Sequence, residues 1–574
     1  SVQAHIIGNV IQDNSQWGVY GKPKAQITIG GPEARDKNLI KNNGYGIQLE
    51  TVGTTDQPVL IQGNQILQNT QNGISLYNSM VSLFNNEIQQ NGGDGLAASK
   101  GSQVTLGGLT SAKQNKVSNN TQSGIALYDE GTKATITNNV IQQNQGLAGL
   151  YINNSVQAHI IGNVIQDNSQ WGIYGKPKAQ ITIGGTSSSV RNIVEGNSIG
   201  IQLEGVGTVE NPSLIMGNLV QKNTQDAIVL SEGAVVLVGG KGISSGNTII
   251  NNDRLGVLVY GSKTNVDIKY NTVQSNGSTG ISLEGNISAA SIANNIIKSN
   301  AGEGIYIHHD TTMAEIPISN NLIADNKGGI YSFSSITQPI SVNNLVFKNN
   351  RAIAEYGGRG FQLSGNAIII NSTVVGHTGD AALLAFGAEK TVKVYNSIFA
   401  QNTNDWYAEG ISLVENCLFD KDLPQSITEV NNWVGDPKFV DATKDDYHLQ
   451  GLSPAINVGN NAVSGLPDKD LTGHLRIFSN TVDLGVYEYG SRSQVIPNDV
   501  AEIPDANLRA ALEQALGKNA GDAITKEDLA GLEELEYDYD GIEGARISDL
   551  TGLEYCTNLQ LLSLRKHRIT DITP

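Results

Sequence analysis

Arg351, Arg359, Lys390 and Lys393 gather with His377 and Glu355 in one stretch of an otherwise acidic chain. These are the residue types that elimination at a uronate needs: a base for the proton beside the carboxylate, and a cation to neutralise that carboxylate. The plainer reading makes all of them solvated corners of the fold. His308-His309-Asp310 could likewise serve as a metal or acid–base group, or simply end a strand in solvent. Hydrolysis by paired carboxylates is less well supplied, because it requires aspartates clustered on neighbouring turns of chain. The single Asp-Asp, Asp445-Asp446, stands far from any such cluster, and the Asn-Thr-Asp, Gly-His-Gly and Arg-Ile-Lys runs of galacturonan hydrolases are missing. The acidic balance is compatible with calcium, but no Asp-x-Asp-x-Asp loop occurs, so no cofactor is expected.

A second set of candidates is aromatic. Short segments of the form Gly-Ile-x-Leu-x recur, and if they are strands with Ile and Leu inside, the residues two and four after the Gly point outward. Those positions hold Tyr20, Gln48, Glu50, Tyr77, Tyr128, Tyr151, Tyr174, Gln202, Glu204, Tyr260, Glu284, Tyr306, His308 and Tyr331. Exposed rings offer apolar faces to sugars, while Glu and Gln hydrogen-bond hydroxyls. Tyr77, Tyr128, Tyr151, Tyr174, Tyr260, Tyr306, His308 and Tyr331 are therefore candidate ligand-binding residues. The competing account is that tyrosine is a good strand residue that stacks across turns.

The elements that must carry these residues follow from repetition. Residues 1–31 and 155–185 are the same sequence but for Val19 against Ile173, an offset of 155 − 1 = 154. Gly107-Gly108, Asn115, Asn139 and Asn163 then answer Gly239-Gly240, Asn247, Asn271 and Asn295 at an offset of 132, so the second copy lacks 154 − 132 = 22 residues. Asn64 and Asn86 are also 22 apart, and Asn115, Asn139 and Asn163 follow at 24, so one whole repeat has been lost without disturbing the pattern. Only a solenoid tolerates that. Each repeat reads as short apolar–polar alternations broken by Asn and Gly, as in Ile136-Thr137-Asn138-Asn139-Val140-Ile141. Such strands must pair with their equivalents in the next repeat, which makes the pairing parallel. The predicted fold is all-β, a right-handed parallel β-helix of about eighteen turns spaced about 4.8 Å apart. Repeated Asn is expected to supply left-handed backbone geometry and to hydrogen-bond to the Asn above and below. Gly before each Ile-x-Leu strand (Gly73, Gly124, Gly172, Gly304, Gly329) is expected to serve a corner.

The pattern predicts a β-helix over 1–440, a closing segment over 441–490, a linker over 491–502 and a different module over 503–574. The later turns carry larger aromatics (Phe399, Phe419), as where an interior column is being closed. Gly435-Asp436-Pro437-Lys438-Phe439-Val440, Tyr447-His448-Leu449, Ser453-Pro454-Ala455-Ile456 and Val482-Asp483-Leu484-Gly485-Val486-Tyr487 together resemble the end of bacterial surface β-helix proteins of the choice-of-anchor-Q type. This segment is expected to cap the open edge of the last turn. Beyond it, Asp505 is placed to cap a helix over 506–516 stopped by Gly517, and Thr525-Lys526-Glu527-Asp528 starts a second. Leu553, Leu559, Leu562, Leu564 and Ile569 fit the spacing of a leucine-rich repeat, and the region resembles the cap and first repeat of an internalin-like domain, with His567 where that family has Asn. A small α/β leucine-rich-repeat cap region is thus expected at the C-terminal end.

A net charge of −18 without a basic stripe argues against nucleic acid and anionic membranes as partners. Cys417 and Cys556 have neither metal nor redox spacing, and no apolar run is long enough to span a bilayer. The first residue falls inside a repeat and the last inside a motif, so a longer parent protein is expected. The resemblances imply an extracellular or bacterial cell-surface setting. The expected function is a non-catalytic structural or adhesive rod that binds carbohydrate, with polysaccharide, another surface glycan, or surface proteins including copies of itself as partners. The alternative is a carbohydrate-active enzyme, a polysaccharide lyase, centred on Arg351, Arg359, Lys390 and Lys393.

Overall fold

The computed structural model describes residues 3–569 apart from 187–190, 241, 310–315, 335–339, 344–345, 349–359, 365, 379–380, 387–390, 408–410, 422–427, 491–500, 517, 519–523 and 539–545, and leaves out the side chains of 309, 333–334, 340–341, 343, 346–348, 407 and 527. Two compact units emerge, one formed by 1–472 with 476–490 and the other by 473–475 with 491–574.

The first unit is a parallel β-helix. Each turn contributes one strand to each of three sheets, which we number in chain order. Among the described residues sheets 1 and 2 have 18 strands each and sheet 3 has 16, since the last turns add no strand to sheet 3 there. Pairing is parallel and in register from turn to turn, as in Ala134 with Ala158 and Ile181 on sheet 1. Interior positions are filled by Ile, Val and Leu, including Ile29, Ile61, Leu83, Leu106, Ile136, Ile160 and Ile183, all essentially without exposure. β-Branched side chains suit this column because their restricted rotamers stack on a pleated surface. In the last turns Phe361, Phe399 and Phe419 replace them, and the rings of Phe399 and Phe419 lie 5.6 Å apart.

Two buried asparagine ladders hold the corners on either side of sheet 2. One runs through Asn64, Asn86, Asn115, Asn139 and Asn163, the other through Asn69, Asn91, Asn120, Asn144 and Asn168. Each side-chain oxygen accepts both the backbone N–H and the amide of the Asn one turn earlier. Asn139, for example, accepts from Asn115 N at 3.1 Å and Nδ2 at 2.9 Å. The expected left-handed geometry belongs to a different residue. It falls on the position before the ladder Asn, as at Asn85, Gln90, Asn119, Asn138 and Gln143, except where a 3-10 helix leads into the ladder, as at Gln114 (φ −66), so backbone reversal and side-chain bonding are divided between neighbours. In the late turns of the first ladder small side chains replace Asn: Ser372 N–H donates to Ser397 Oγ at 3.1 Å, and Ser397 N–H to Cys417 Sγ at 3.4 Å. Burial pushes the Cys417 thiol up to about 12, which keeps it neutral in this role.

The glycines before the sheet 3 strands also differ from expectation in their reason. Gly73 and Gly124 do not have positive φ. A Cβ on Gly124 would instead meet Gly149 O at 2.7 Å, Asn144 Nδ2 at 2.8 Å and Ile141 Cγ2 at 2.8 Å. Close packing against the ladder, and not backbone freedom, selects glycine there.

Among the described residues turn lengths vary most at two corners, while the corner between sheets 2 and 3 changes by a residue or so, as from Asn144 to Leu150 against Asn197 to Ile201. The 29-residue steps Asn9 to Asn38, Asn86 to Asn115 and Asn218 to Asn247 each carry a one-turn 3-10 helix between sheets 1 and 2 (Ala34–Asp36, Ser111–Lys113, Ile243–Ser245), announced by Gly30-Gly31, Gly107-Gly108 and Gly239-Gly240. Other extra residues enter between sheets 3 and 1.

The closing segment does not cap the last turn. Phe439, Tyr447, Leu449, Ala455, Leu484 and Val486 pack on Val375, Ile398, Ala400 and Leu418, which face outward from sheet 2. It is tied there by the left-handed Asn residues: Asn371 Nδ2 donates to Asp483 O at 2.8 Å, Asn396 Nδ2 to Asn460 O at 3.1 Å and Asn416 Nδ2 to Val458 O at 2.7 Å. The physical reason is that sheet 2 turns apolar on its outer face in these late turns and needs a lateral cover.

In the second unit a helix over Ala506–Ala515 is capped by Asp505, whose side chain accepts from the N–H of Asn507 and Leu508. The short helix Lys526–Ala530 opens with a reciprocal pair, Asp528 N–H to Thr525 Oγ1 at 3.0 Å and Thr525 N–H to the Asp528 carboxylate at 2.7 Å. Strands Glu534–Glu536 and Leu561–Ser563 pair in parallel. His567 accepts from Ile547 N–H on Nδ1 at 3.0 Å and reaches Tyr537 O with Nε2 at 2.6 Å, so it bridges backbone as an Asn would.

Candidate functional site

Sheet 3 carries most of the outward aromatics, in two rows. The first row runs Tyr20, Gln48, Ser75, Ala97, Ala126, Tyr151, Tyr174, Gln202, Val229, Leu258, Ser282, Tyr306 and Tyr331. The second includes Glu50 and Tyr77, then Tyr260, Glu284 and His308. The tyrosines therefore form clusters separated by small or aliphatic residues, not one unbroken ladder. Nor do they project freely. Tyr77, Tyr128, Tyr151, Tyr260, Tyr306, His308 and Tyr331 are half-buried and Tyr174 is buried. Adjacent turns are closer than a ring is long, so each ring leans on its neighbour: Tyr128 and Tyr151 centroids are 5.7 Å apart, Tyr151 and Tyr174 5.8 Å, and Tyr306 and Tyr331 5.4 Å.

The densest cluster is built by three strands, Ala148–Ile152, Trp171–Gly175 and Ile199–Glu204. Trp171 stacks on Tyr174 at 4.4 Å and donates its indole N–H to Gln202 Oε1 at 2.7 Å. Gln202 Nε2, the Tyr174 hydroxyl and the Lys176 ammonium all donate to Glu204, at 2.7, 2.9 and 2.6 Å. Burial raises the Glu204 carboxyl, but these three donors together outweigh it and hold the group below its usual range. The bond to Glu204 raises Lys176 in turn, so a fixed ammonium–carboxylate pair sits beside two stacked rings. The same constellation occurs six turns earlier, where Trp17 stacks on Tyr20 at 4.6 Å, Trp17 donates to Gln48 at 2.8 Å, and Gln48 and Tyr20 donate to Glu50 at 2.7 and 2.9 Å. Counting outward positions from the Gly missed Trp17 and Trp171, which stand one residue before it; their place inside the duplicated block was the available signal.

Asp94, also missed, lies at the entry to sheet 3. Its carboxylate accepts Ser123 N–H at 2.9 Å and bonds the Tyr128 hydroxyl. Burial raises it to about 6 against those two favourable bonds, and raises Tyr128 as well. Asp226 repeats the arrangement 132 residues on, accepting Leu255 N–H at 3.0 Å, and burial raises it too. Since the folded state holds the Asp94 proton more tightly than the ordinary carboxyl at 3.8, its ionisation costs stability as pH rises from 3.8 through about 6. Asp94→Asn is expected to flatten that slope and to stabilise the protein at neutral pH by about 1–2 kcal/mol. Urea midpoints measured from acid to neutral pH read this out; an unchanged slope would show that Asp94 does not carry the proton.

Most of the basic neighbourhood is outside the part of the chain that the structure describes. Arg351, Arg359, Lys390 and Glu355 lie outside the described residues, as does Asp310. Lys393 is exposed on sheet 1, where it pairs with Ile368. His377 is buried inside the corner after sheet 2, at a ladder position, its N–H donating to Asn402 Oδ1 at 3.0 Å. It is neither a solvated corner residue nor adjacent to Lys393's outer face. Among the described residues no three His, Cys, Asp or Glu side chains converge as a metal site, and no helix is long and apolar enough to cross a membrane.

Three stacked parallel sheets, two asparagine ladders and an aliphatic interior define a parallel β-helix. The family model for a right-handed β-helix region matches residues 1–110, 107–269 and 255–420, so the chain belongs to that family. No curated relative matches the sequence. Among solved structures, the A-module of an Azotobacter vinelandii mannuronan C-5 epimerase, AlgE6, is similar at 14% identity over 61% of this chain and 90% of its own, with a TM-score of 0.33. The periplasmic alginate epimerase AlgG is similar at 12% identity over 70% and 77% (TM-score 0.21), and the pectate lyase Pel9A at 11% over 84% and 88% (TM-score 0.18).

Proposed function

We propose that the chain is a non-catalytic carbohydrate-binding rod of an extracellular or bacterial cell-surface protein, with sheet 3 as its binding face. The observation that carries this reading is the duplicated constellation of Trp, Tyr, Gln and Glu at Trp171 and Trp17, to which Lys176 adds an ion pair with Glu204 at the first of them. Stacked rings beside a fixed carboxylate and amide are what a sugar ring requires: an apolar face to cover and hydroxyls to pair. Repetition favours binding over catalysis, because two copies of a contact surface add avidity on one polymer. The closing segment is read as a choice-of-anchor-Q-like end, and the second unit as the start of an internalin-like leucine-rich repeat domain serving adhesion. Replacing Tyr151, Tyr174 and Tyr306 together by Ser is expected to reduce retention on immobilised polysaccharide by at least tenfold with the β circular-dichroism signal kept. Retention equal to the parent's on every glycan would leave the tyrosines as structural residues only.

One observation favours glycan processing as a second reading. Asp94, raised to about 6, stands against Tyr128, which gives a proton-holding carboxyl beside a hydroxyl on the same face. Release of unsaturated uronate ends, followed by their ultraviolet absorbance and abolished in Asp94→Asn, would promote that reading over the first.

A further inference from the structure

The duplication builds a second surface, on the outer face of sheet 1. Two loops, residues 54–58 and 208–212, correspond at the 154-residue offset, sharing their first Thr and last Pro, and precede the strands Val59–Gln62 and Ser213–Met216. Each is closed on itself: Thr54 and Gln57 exchange backbone bonds at 3.0 and 3.2 Å, and Thr208 and Asn211 do the same at 3.0 and 3.2 Å. Each is also tied to the sheet by an equivalent glutamine, Gln26 donating to Gln57 Oε1 at 3.0 Å and Gln180 to Pro212 O at 3.1 Å. They stand as two rigid posts six turns apart, which at the spacing of paired strands is about 29 Å.

Between the posts lies a trough of about 600 Å³, lined at one end by Thr54, Thr55 and Pro58 and at the other by Asn211. Its floor is one outward row in strict register, Ser82, Thr105, Thr135, His159 and Thr182. A flanking row holds Gln103, Lys133, Gln157 and Gln180. Thr105, Lys133, Thr135, Gln157 and His159 are exposed. No carboxylate lines this trough, in a chain of net charge −18, and a lysine and a histidine sit on adjacent strands near its middle.

The chemistry of the occupant follows. The floor strands spend their backbone groups on one another, so an extended peptide cannot add itself as a further strand. What is offered instead is hydroxyls, amides, an imidazole and an ammonium group on strands spaced at the rise of the solenoid, about 4.8 Å. A polysaccharide running along the axis advances by about the same distance per ring and presents hydroxyls at each. A lining without carboxylates and the central Lys133 ammonium select for acid groups on those rings, with the His159 imidazole beside it as a hydrogen-bonding group. We infer that this trough binds a segment of an anionic, uronate-type polysaccharide of finite length, about five units, one per floor strand. The site is separate from the aromatic face of sheet 3, and its test separates the two readings.

The experiment titrates the full chain with a length series of oligogalacturonides, with cello-oligosaccharides and polyglutamate as comparison probes, by calorimetry. Affinity for oligogalacturonides is expected to rise with length until about five units are reached and then level off. The double variant Lys133→Glu, His159→Glu should weaken it at least tenfold, and Thr135→Trp, an exposed floor position filled by a bulky ring, should do the same. The variant with Tyr151, Tyr174 and Tyr306 replaced by Ser should bind oligogalacturonides as the parent does. Absence of binding at every length overturns the inference, as does loss of binding only in the tyrosine variant. Equal affinity for polyglutamate would show a general anion surface and overturn it as well.

Discussion

Asn139→Leu is expected to destabilise the β-helix by about 3–4 kcal/mol, more than a comparable change at any outward position. The leucine is close to isosteric, so packing volume is kept and hydrogen bonding alone is removed. Asn139 Oδ1 accepts from Asn115 N and Nδ2 at 3.1 and 2.9 Å, and its own amide donates to Leu106 O, Thr137 O and Asn163 Oδ1 at 2.9, 3.0 and 3.1 Å. The substitution leaves a backbone N–H, an amide and two carbonyls short of partners at a position without solvent access, and each such group costs about 1–3 kcal/mol. The neighbouring bond from Asn139 N–H to Asn163 Oδ1 at 2.8 Å survives, which keeps the sum below a simple total. Denaturant unfolding followed by circular dichroism reads the loss. A shift under about 1 kcal/mol would mean that the ladder is a by-product of strand stacking and not one of its supports.

Arg476→Met is expected to loosen the closing segment by about 3–5 kcal/mol, with the effect confined to residues 441–490. Arg476 is the largest fully buried side chain among the described residues; it donates to Gly485 O at 3.1 Å and Val486 O at 2.7 Å. Burial lowers it to about 10, while Asp470, Glu488 and Asp483 around it favour its charge. The same carboxylates organise the segment's turns: Asp483 accepts the N–H of Asn457 and Tyr489, and Glu488 those of Phe478 and Asp483. Burial already raises Glu488 to about 8 with the arginine present. Without it, the folded pKa values of these acids rise further above their unfolded ones. A group raised in this way loses stability as pH climbs from its unfolded to its folded value. The damage in Arg476→Met should therefore shrink in acid and grow towards alkaline pH. Hydrogen exchange of the amides of Tyr447, Leu449, Leu484 and Val486 measures it directly; equal protection in parent and variant would remove the arginine from the account.

The solenoid was legible because its rules are local and repeated. One duplicated block and a 22-residue deletion identify a unit, and alternation within that unit says which side chains face in. What escaped were assignments that depend on neighbours in space. Asn was recognised as the repeated corner residue, but the split between the left-handed residue and the ladder residue after it cannot be seen when both are Asn, as at Asn85-Asn86 and Asn119-Asn120. Counting from Gly gave the outward row of sheet 3, yet it could not say that rings spaced closer than their own length must lean and cover one another. The closing segment's apolar residues were found; their docking site was not, because nothing local marks the outward Val375, Ile398 and Ala400 as different from interior residues. Asp94 and Asp226 look like ordinary loop acids until the turn above is stacked on them.

Along the two asparagine ladders the described steps from the first to the second are five residues, as from Asn64 to Asn69, Asn115 to Asn120 and Asn247 to Asn252, while the turns between successive ladder Asn residues range from 22 to 29. Insertion tolerance is therefore lopsided around the circumference. Foreign loops grafted after Gly-Gly pairs such as Gly107-Gly108, or in place of residues 54–58, would decorate one flank of the scaffold at no cost to its interior. A single residue added between Asn139 and Asn144 would throw both hydrogen-bonded columns out of step, and with them every turn that rests on that one.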